Sequence, residues 1–431
     1  MTKRMLLAVL LLIVFALPAG CQKQGGEPTQ PTAPAPTILP TPTPEPSPTP
    51  PPAPVGAGLA GMTVEQKAAQ LLVAGIEGTE PGEDAVQAVQ GYQVGGVILF
   101  GRNVESAEQL AALTNGLKEL NGDYTPLFLC VDQEGGRVDR MPPEVSRTPS
   151  AWSVGQTLDT EGVGVSYGEL LAAECAAFGF NMDFAPSLDI WSNPDNTVIG
   201  DRAFGNDWEW TAFFGMSAVE GMEKQGTVIP VVKHFPGHGD TAVDSHTALP
   251  VVDKTLEDLW QSELVPFDMV LSGQFWGEPV MEPTPAVMVA HILLSQIDPD
   301  NPASLSPEVV TGLLREEMGY EGVVCTDDLT MGAISNTYGM GEAAVLAVEA
   351  GCDLLLVCHG ADNLAEAHAA LVEAVDSGCI PEERLDESVY RVLSLKTVYG
   401  LSNAPVEAPD IEALNDRIAA LERSIEADTS Q

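Results

Sequence analysis

The sequence has few basic residues. Only 19 lysines and arginines stand against 62 aspartates and glutamates in 431 residues, which gives a formal net charge of −43. Proteins that bind a nucleic acid or an anionic membrane surface do so through clusters of basic residues, so neither is an expected partner. Hydrophobic residues nevertheless make up 45% of the chain, as in a globular protein rather than a disordered one.

The seven cysteines include no Cys-x-x-Cys pair, which argues against a zinc knuckle or a redox motif. Most of the six that follow Cys21 lie within apolar runs, as Cys130 does. We expect buried free thiols, with a disulfide among them as the alternative. No metal and no cofactor is expected.

The apolar run at the N-terminus is too short to span a bilayer comfortably. It follows Lys3 and Arg4 and ends in small residues before Cys21. Residues 1–21 resemble a bacterial lipoprotein signal peptide, in which Cys21 becomes the lipidated first residue; a cleaved secretory signal is the alternative. The sequence therefore predicts an extracytoplasmic protein, held at the cell membrane only by its N-terminal lipid.

Residues 22–56 contain 13 of the 34 prolines and too few apolar residues to form a core. A segment of this composition is typical of an extended, disordered tether. At about 3.1 Å per residue, it could hold a domain up to roughly 100 Å from its anchor.

From residue 57 onward, eight short apolar runs alternate with amphipathic segments of helical length. The runs are 71–76, 94–100, 126–132, 180–188, 228–234, 286–294, 322–327 and 353–358. Strands that are apolar on both faces and alternate with helices indicate a parallel sheet. Eight of them favour an α/β fold with a single (β/α)8 TIM-type barrel over residues 57–402.

The tail, residues 403–431, carries five apolar residues at alternating spacings of three and four. This pattern predicts one amphipathic helix. Packing on the barrel and a weak dimer contact both fit it, and we expect a monomer.

Polar residues cluster where the predicted strands end, which is the catalytic face of such barrels. Three of the six histidines lie between residues 234 and 246, and Asp244 stands two residues before His246. A carboxylate that is hydrogen-bonded to one ring nitrogen fixes the tautomer of the imidazole and raises its basicity, so that the imidazole can act as a general acid/base. Bracing of the loop is one alternative. A metal site formed by His234, His238, Asp240 and His246 is another.

The seventh run ends in Asp327 and Asp328. Asp328 can cap the helix that follows, whereas Asp327 would point into the barrel mouth as an ionised nucleophile. A carboxylate nucleophile with a separate acid/base is the equipment of a retaining glycoside hydrolase.

Together these residues form motifs that resemble glycoside hydrolase family 3, and within it the bacterial β-N-acetylglucosaminidases. The motifs are 132–140 (Asp-Gln-Glu-Gly-Gly-Arg-Val-Asp-Arg), 180–186 (Phe-Asn-Met-Asp-Phe-Ala-Pro), 202–205 (Arg-Ala-Phe-Gly), 233–239 (Lys-His-Phe-Pro-Gly-His-Gly), 244–246 (Asp-Ser-His) and 326–329 (Thr-Asp-Asp-Leu). The resemblance covers nearly the whole globular part of the chain.

By this resemblance, Asp327 is the nucleophile that forms a covalent glycosyl-aspartate, His246 is the acid/base and Asp244 orients it. The same resemblance assigns binding of the terminal N-acetylglucosamine to Asp132, Arg140, Arg202, Lys233 and His234.

The implied activity is exo-cleavage, with retention, of β-linked N-acetylglucosamine from peptidoglycan-derived or chitin-like saccharides. A phosphorylase that uses the same residues, and a non-catalytic sugar-binding lipoprotein, are the alternatives.

Overall fold

The computed structural model describes residues 58–158, 160–241, 244–245 and 247–429. The predicted signal peptide, the lipidation site Cys21, the tether and the predicted acid/base His246 lie outside the described residues. Within the part of the chain that is described, no helix is long and apolar enough to cross a membrane.

Eight parallel strands close into a barrel in the order β1-β8-β7-β6-β5-β4-β3-β2. They are β1 Leu72–Gly75, β2 Gly96–Ile98, β3 Phe128–Val131, β4 Met182–Asp183, β5 Ile229–Phe235, β6 Ala286–Val289, β7 Val323–Asp328 and β8 Leu354–Val357. Closure occurs where Leu72 of β1 pairs with Leu355 of β8. The predicted (β/α)8 barrel is therefore confirmed, with one strand inside each predicted run or within a residue of it.

Two of the apolar runs continue five residues past the last residue of their barrel strands. Only Met182 and Asp183 form β4, since Pro186 soon follows and has no backbone N–H to donate. The sixth run is split: β6 ends at Val289, and Leu293–Leu294 pairs separately with Val251–Val252.

Helices surround the barrel. They are α1 Val64–Gln70, α2 Glu83–Val86, α3 Ala107–Asn121, α4 Ala151–Gly155, α5 Thr160–Ala177, α6 Trp208–Glu223, α7 Leu256–Leu259, α8 Leu264–Ser272, α9 Gly332–Ser335, α10 Met340–Ala350, α11 Ala361–Asp376, α12 Glu382–Val398 and α13 Ile411–Thr429, with π-helical segments Gln87–Tyr92 and Glu308–Glu317. Ser106 and Asp207 cap α3 and α6 by accepting from backbone N–H groups of the first turn.

The barrel interior is filled with side chains and is not a channel. Phe128, Met182, Ile229 and other inward residues form one buried cluster, and α12 closes it from one side with Val392 and Leu395. A second, larger cluster lies between the strands and the helices. With α12 covering one end of this filled interior, the opposite end of the barrel is the place where a ligand can enter.

The tail helix α13 packs against α5 and buries Leu414, Ile418 and Leu421. Its Asn415 also accepts from the backbone N–H of Ser146 and donates to the carbonyl of Glu144, at 2.7 and 3.0 Å. The helix is thus attached both to the barrel wall and to the loop that follows the 132–140 motif.

The six described cysteines are all unpaired, and five of them are buried. Cys379 departs from the expectation of burial, because it is exposed beyond the end of α11.

Candidate active site

A cavity of about 330 Å³ opens at the carboxyl ends of the barrel strands. This volume is within the range of sites that hold small molecules. Six of the predicted site residues line it together: Asp132, Arg140, Arg202, Lys233, His234 and Asp327. Residues that lie far apart in the sequence therefore meet at one place because each follows, or ends, a barrel strand.

The loop after β3 brings Arg140 back to the cavity. Gly135 and Gly136 both have positive φ, of 70° and 55°, which explains the glycine pair in this motif. Gln133 then accepts from the backbone N–H of Arg140 at 2.8 Å. Arg140 lines the cavity, and its Nε is buried and lacks a hydrogen-bond partner among the described residues.

Four charged side chains form a continuous ion-pair network on one wall. The Lys233 ammonium is 2.6 Å from carboxylate oxygens of both Asp132 and Glu134, and Arg202 binds Glu134 through two nitrogens at 2.7 and 2.8 Å. Burial raises the pKa of Glu134, but the charges of Arg202 and Lys233 outweigh it and lower the pKa. Lys233 and Arg202 are thereby held charged in fixed positions.

His234 has a defined tautomer in this site. Arg202 can only donate, so its Nη2, 3.2 Å from Nε2 of His234, marks that ring nitrogen as an acceptor. The proton therefore lies on Nδ1, which donates to Asp189 at 2.6 Å. Burial raises the pKa of Asp189, but the interaction with His234 outweighs it and the pKa is lowered.

Glu134 and Asp189 have structural functions that the sequence analysis did not assign. Glu134 lies within the 132–140 motif and Asp189 shortly after the 180–186 motif, and each acid follows a predicted buried strand by one or two residues. A buried carboxylate requires a cationic or hydrogen-bonding partner, and this requirement is the signal that would have identified them.

Asp327 lies near the end of β7, at the cavity. Its Oδ1 accepts from the backbone N–H of Asp328 at 2.8 Å. Burial raises the pKa of Asp327, but His291, His234, this hydrogen bond and Lys233 together outweigh it and lower the pKa. The carboxylate is therefore ionised at neutral pH, as a nucleophile must be.

Asp328 does not cap the next helix, so that expectation is wrong. Its carboxylate accepts from the N–H and hydroxyl of Thr330 at 2.9 and 2.6 Å and from the N–H of Cys358 at 3.1 Å. Helix α9 begins only at Gly332, with Met331 at the N-cap position. Asp328 therefore holds the end of β7 against the end of β8.

The segment that precedes the predicted acid/base also reaches the cavity. Ser245 is buried and lines it, and the carbonyl of Asp244 accepts from the backbone N–H groups of Thr247 and Ala248. The described residues thus bring Ser245, which directly precedes position 246, to the cavity that Asp327 lines.

A buried glutamate supports the 132–140 loop from behind, and it predicts a pH-dependent stability. Glu174 accepts from Gln133 and Thr148 at 2.9 and 2.6 Å, and burial raises its pKa to about 8. A carboxyl group whose pKa is raised in the folded state adds stability that is complete below its pKa in the unfolded state. This stability is lost as the pH rises from the unfolded-state pKa toward the folded-state pKa, at about 1.4 kcal/mol per pH unit.

We therefore expect urea unfolding of Glu174→Gln to show a smaller loss of unfolding free energy between pH 5 and pH 8 than the wild type. Glu169→Gln, on the same helix but partly exposed, is the matched control and keeps the wild-type slope. Parallel curves for wild type and Glu174→Gln would show that Glu174 does not bind the extra proton.

Comparison with known proteins agrees with this geometry. Residues 63–395 match the family model described as "Glycosyl hydrolase family 3 N terminal domain". The chain is 33% identical to beta-hexosaminidase A of Pseudoalteromonas piscicida over 341 residues, which cover 74% of this chain and 56% of that protein. It is 37% identical to the beta-hexosaminidase of Methylococcus capsulatus over 285 residues, which cover 66% of this chain and 80% of the relative.

A solved structure is similar as well. The glycoside hydrolase family 3 beta-N-acetylglucosaminidase from Paenibacillus sp. str. FPU-7 superposes with a TM-score of 0.78 at 41% sequence identity. The match covers 84% of this chain and 68% of that one. From the family match, the identities and the barrel with its polar cavity, we conclude that the chain belongs to the glycosyl hydrolases of family 3.

Proposed function

We propose that the protein is a retaining exo-β-N-acetylglucosaminidase that removes a terminal β-linked N-acetylglucosamine. The observation that carries this proposal is that Asp327, ionised and near the end of β7, shares one cavity with the Lys233–Asp132 pair, Arg140 and His234. The filled barrel core lies beneath this cavity, so it has a floor and accepts a chain end rather than the middle of a chain. The names of the relatives support the choice of sugar.

The cavity lining fits a pyranose ring. Its polar groups include acceptors such as Asp132 and donors such as Arg140 and Lys233, which is the mixture that sugar hydroxyls require. Apolar side chains, including Met288 and Leu356, lie among them and can contact the C–H faces of the ring. Since the ion-pair network fixes Lys233, the ring would be bound in one orientation.

The reaction would proceed in two displacements at the anomeric carbon. In the first, a carboxylate oxygen of Asp327 bonds to C1 as the C1–O bond to the leaving group breaks, and His246 donates a proton to the departing oxygen. In the second, His246 removes a proton from water, the water oxygen bonds to C1 and Asp327 departs as a carboxylate. Two inversions give net retention.

Product analysis tests the proposal. The purified protein, given a β-linked N-acetylglucosamine disaccharide, is expected to release free N-acetylglucosamine whose first-formed anomer by NMR is β. An α anomer would overturn the retaining mechanism, and absence of turnover would favour a binding protein. Sugar 1-phosphate formed only when phosphate is added would assign a phosphorylase instead.

The natural substrate follows from the predicted location. A lipid-anchored enzyme on a proline-rich tether, outside the cytoplasm, meets cell-wall fragments and external polysaccharide. We therefore propose peptidoglycan-derived saccharides, with chitin-like oligosaccharides as the other source of the same terminal sugar. Comparing kcat/KM for the two kinds of chain separates them.

The proposed anchor depends on one residue. Cys21→Ser removes the thiol that would carry the lipid, so we expect the protein to move from the membrane fraction to the soluble fraction in a bacterial host that processes lipoproteins. Immunoblotting of the two fractions measures this, with Cys379→Ser as the matched control. Equal membrane association of wild type and Cys21→Ser would contradict lipidation.

A further inference from the structure

We propose that His238 is a positioning residue that binds both ends of segment 241–245 and thereby sets where the chain enters position 246. This inference rests on the proposed function, in which residue 246 is the acid/base. His238 belongs to the 233–239 motif, but neither the ion-pair network nor the chemistry described above uses its ring.

One imidazole binds two hydroxyls that flank the segment. Nδ1 of His238 lies 2.8 Å from Oγ1 of Thr241, and Nε2 lies 3.2 Å from Oγ of Ser245. A neutral imidazole donates from one nitrogen and accepts at the other, and a hydroxyl can take either role, so both bonds are satisfied together. Burial lowers the pKa of His238, which favours this neutral form.

The backbone of His238 is itself held by two buried side chains. Its backbone N–H donates to Oδ1 of Asp189 at 2.6 Å, and its carbonyl accepts from the Asn196 side chain at 2.9 Å. Asp189 is the same carboxylate that fixes the tautomer of His234. A single buried carboxylate thus connects the sugar-binding wall to the residue that binds segment 241–245.

Ser245 is also attached to the side of the nucleophile. Its carbonyl accepts from the backbone N–H of Ala333 at 3.0 Å, and Ala333 lies in α9, shortly after the strand that carries Asp327. Neighbouring Cα atoms are about 3.8 Å apart, so fixing Ser245 restricts where residue 246 begins. Ser245 is thereby connected both to His238 and to the helix that follows the nucleophile strand.

Positioning is the role that the contacts of His238 allow. His238 borders the cavity, but the residue is only 2% exposed and both ring nitrogens are already bonded within the protein, so neither is left for a sugar hydroxyl. Removing one of these bonds should leave sugar binding intact but reduce the time that the acid spends near the glycosidic oxygen. Protonation matters most for poor leaving groups, so the loss should depend on the leaving group.

The test compares kcat/KM for a nitrophenyl β-N-acetylglucosaminide and an unactivated β-linked disaccharide. In His238→Asn the amide approximates Nδ1 and can retain the Thr241 bond; in His238→Gln the amide approximates Nε2 and can retain the Ser245 bond. We expect His238→Asn and Ser245→Ala each to lose about 10-fold or more on the disaccharide and less than about 3-fold on the nitrophenyl substrate. His238→Gln should recover most of the loss.

Two further variants sharpen the test. The double variant His238→Asn with Ser245→Ala should be no worse than either single variant, since both changes remove the same bond. His368→Asn, on α11 and away from the cavity, is the matched control and should not separate the two substrates. Melting temperatures identify any variant that fails to fold, and Ser245→Ala, which removes a single hydroxyl, then carries the comparison.

Two results would overturn the inference while leaving the proposed function intact. The first is an equal loss of kcat/KM on the two substrates in His238→Asn and Ser245→Ala while the wild type is active. The second is a loss in the double variant that equals the sum of the two single losses in free energy. A wild-type protein that releases no N-acetylglucosamine from either substrate would overturn the proposed function itself, and the inference with it.

Discussion

Replacing Asp327 with asparagine is expected to lower kcat by about 10⁴-fold or more on every substrate, because the bond to C1 requires a carboxylate oxygen. Asparagine has nearly the same shape, and its amide oxygen can still accept the 2.8 Å hydrogen bond from the backbone N–H of Asp328. The fold and KM should therefore change little. Steady-state kinetics with a nitrophenyl substrate, after removal of contaminating host enzyme, measures the loss.

A rescue experiment identifies the role of Asp327 more directly. In Asp327→Ala the lost carboxylate leaves space beneath C1, and azide can attack the anomeric carbon as the nitrophenolate leaves. One inversion gives the α-glycosyl azide, whereas no such product forms in the wild type. Asp362→Asn, an exposed aspartate in the first turn of α11, is the control and should keep full activity. Near-normal turnover in Asp327→Asn would remove this residue from the reaction.

The barrel could be predicted because its signal is repeated eight times. Each buried parallel strand needs an apolar run and each crossover needs a helix, so errors in one element do not change the count. The ends of β4 and β6 could not be predicted as accurately. Apolarity continues past the end of both strands. After β4 the chain meets β5 again only through an isolated bridge between Ser187 and Lys233, and after β6 Leu293–Leu294 pairs outside the barrel with Val251–Val252.

It could also be predicted from the sequence which residues come together at the site, because the carboxyl ends of the strands in a parallel barrel converge. Asp132, Lys233 and Asp327 come from three different strands and meet for that reason alone. The pairings between them could not be predicted. Glu134, for example, binds both Lys233 and Arg202. This pairing depends on side-chain directions at the ångström scale, which the spacing of residues along the chain does not specify.

Asp328 shows a related limit. An acid one or two residues beyond a strand is equally compatible with a helix cap and with a bridge to the neighbouring strand. The bridge is favoured because α9 begins only at Gly332 and because the N–H of Cys358, which directly follows β8 and lies 30 residues further along the chain, is within hydrogen-bond distance. Local sequence carries no information about such a long-range partner.

His246→Ala is the second variant with a large expected effect, and the effect should depend on the leaving group. Without a proton donor, a disaccharide must expel a sugar alkoxide, so we expect kcat/KM to fall by about 10² to 10⁴-fold. A nitrophenolate leaves without protonation, so kcat/KM for that substrate should fall far less. Comparing aryl glycosides of graded leaving-group pKa therefore gives a steeper dependence in His246→Ala than in the wild type.

The second half of the reaction gives an independent check. With a good leaving group, His246→Ala forms the glycosyl-aspartate but cannot activate water, so the intermediate should accumulate and appear as a burst of nitrophenol and as a mass increase on Asp327. Azide needs no deprotonation, and it should restore turnover and give the β-glycosyl azide. This is the opposite anomer from the Asp327→Ala product, because here the azide completes the second of two inversions. The two variants are blocked at different steps on the same carbon, so their azide products must be opposite anomers. An α product from His246→Ala, or the absence of a burst, would place the acid/base at another residue.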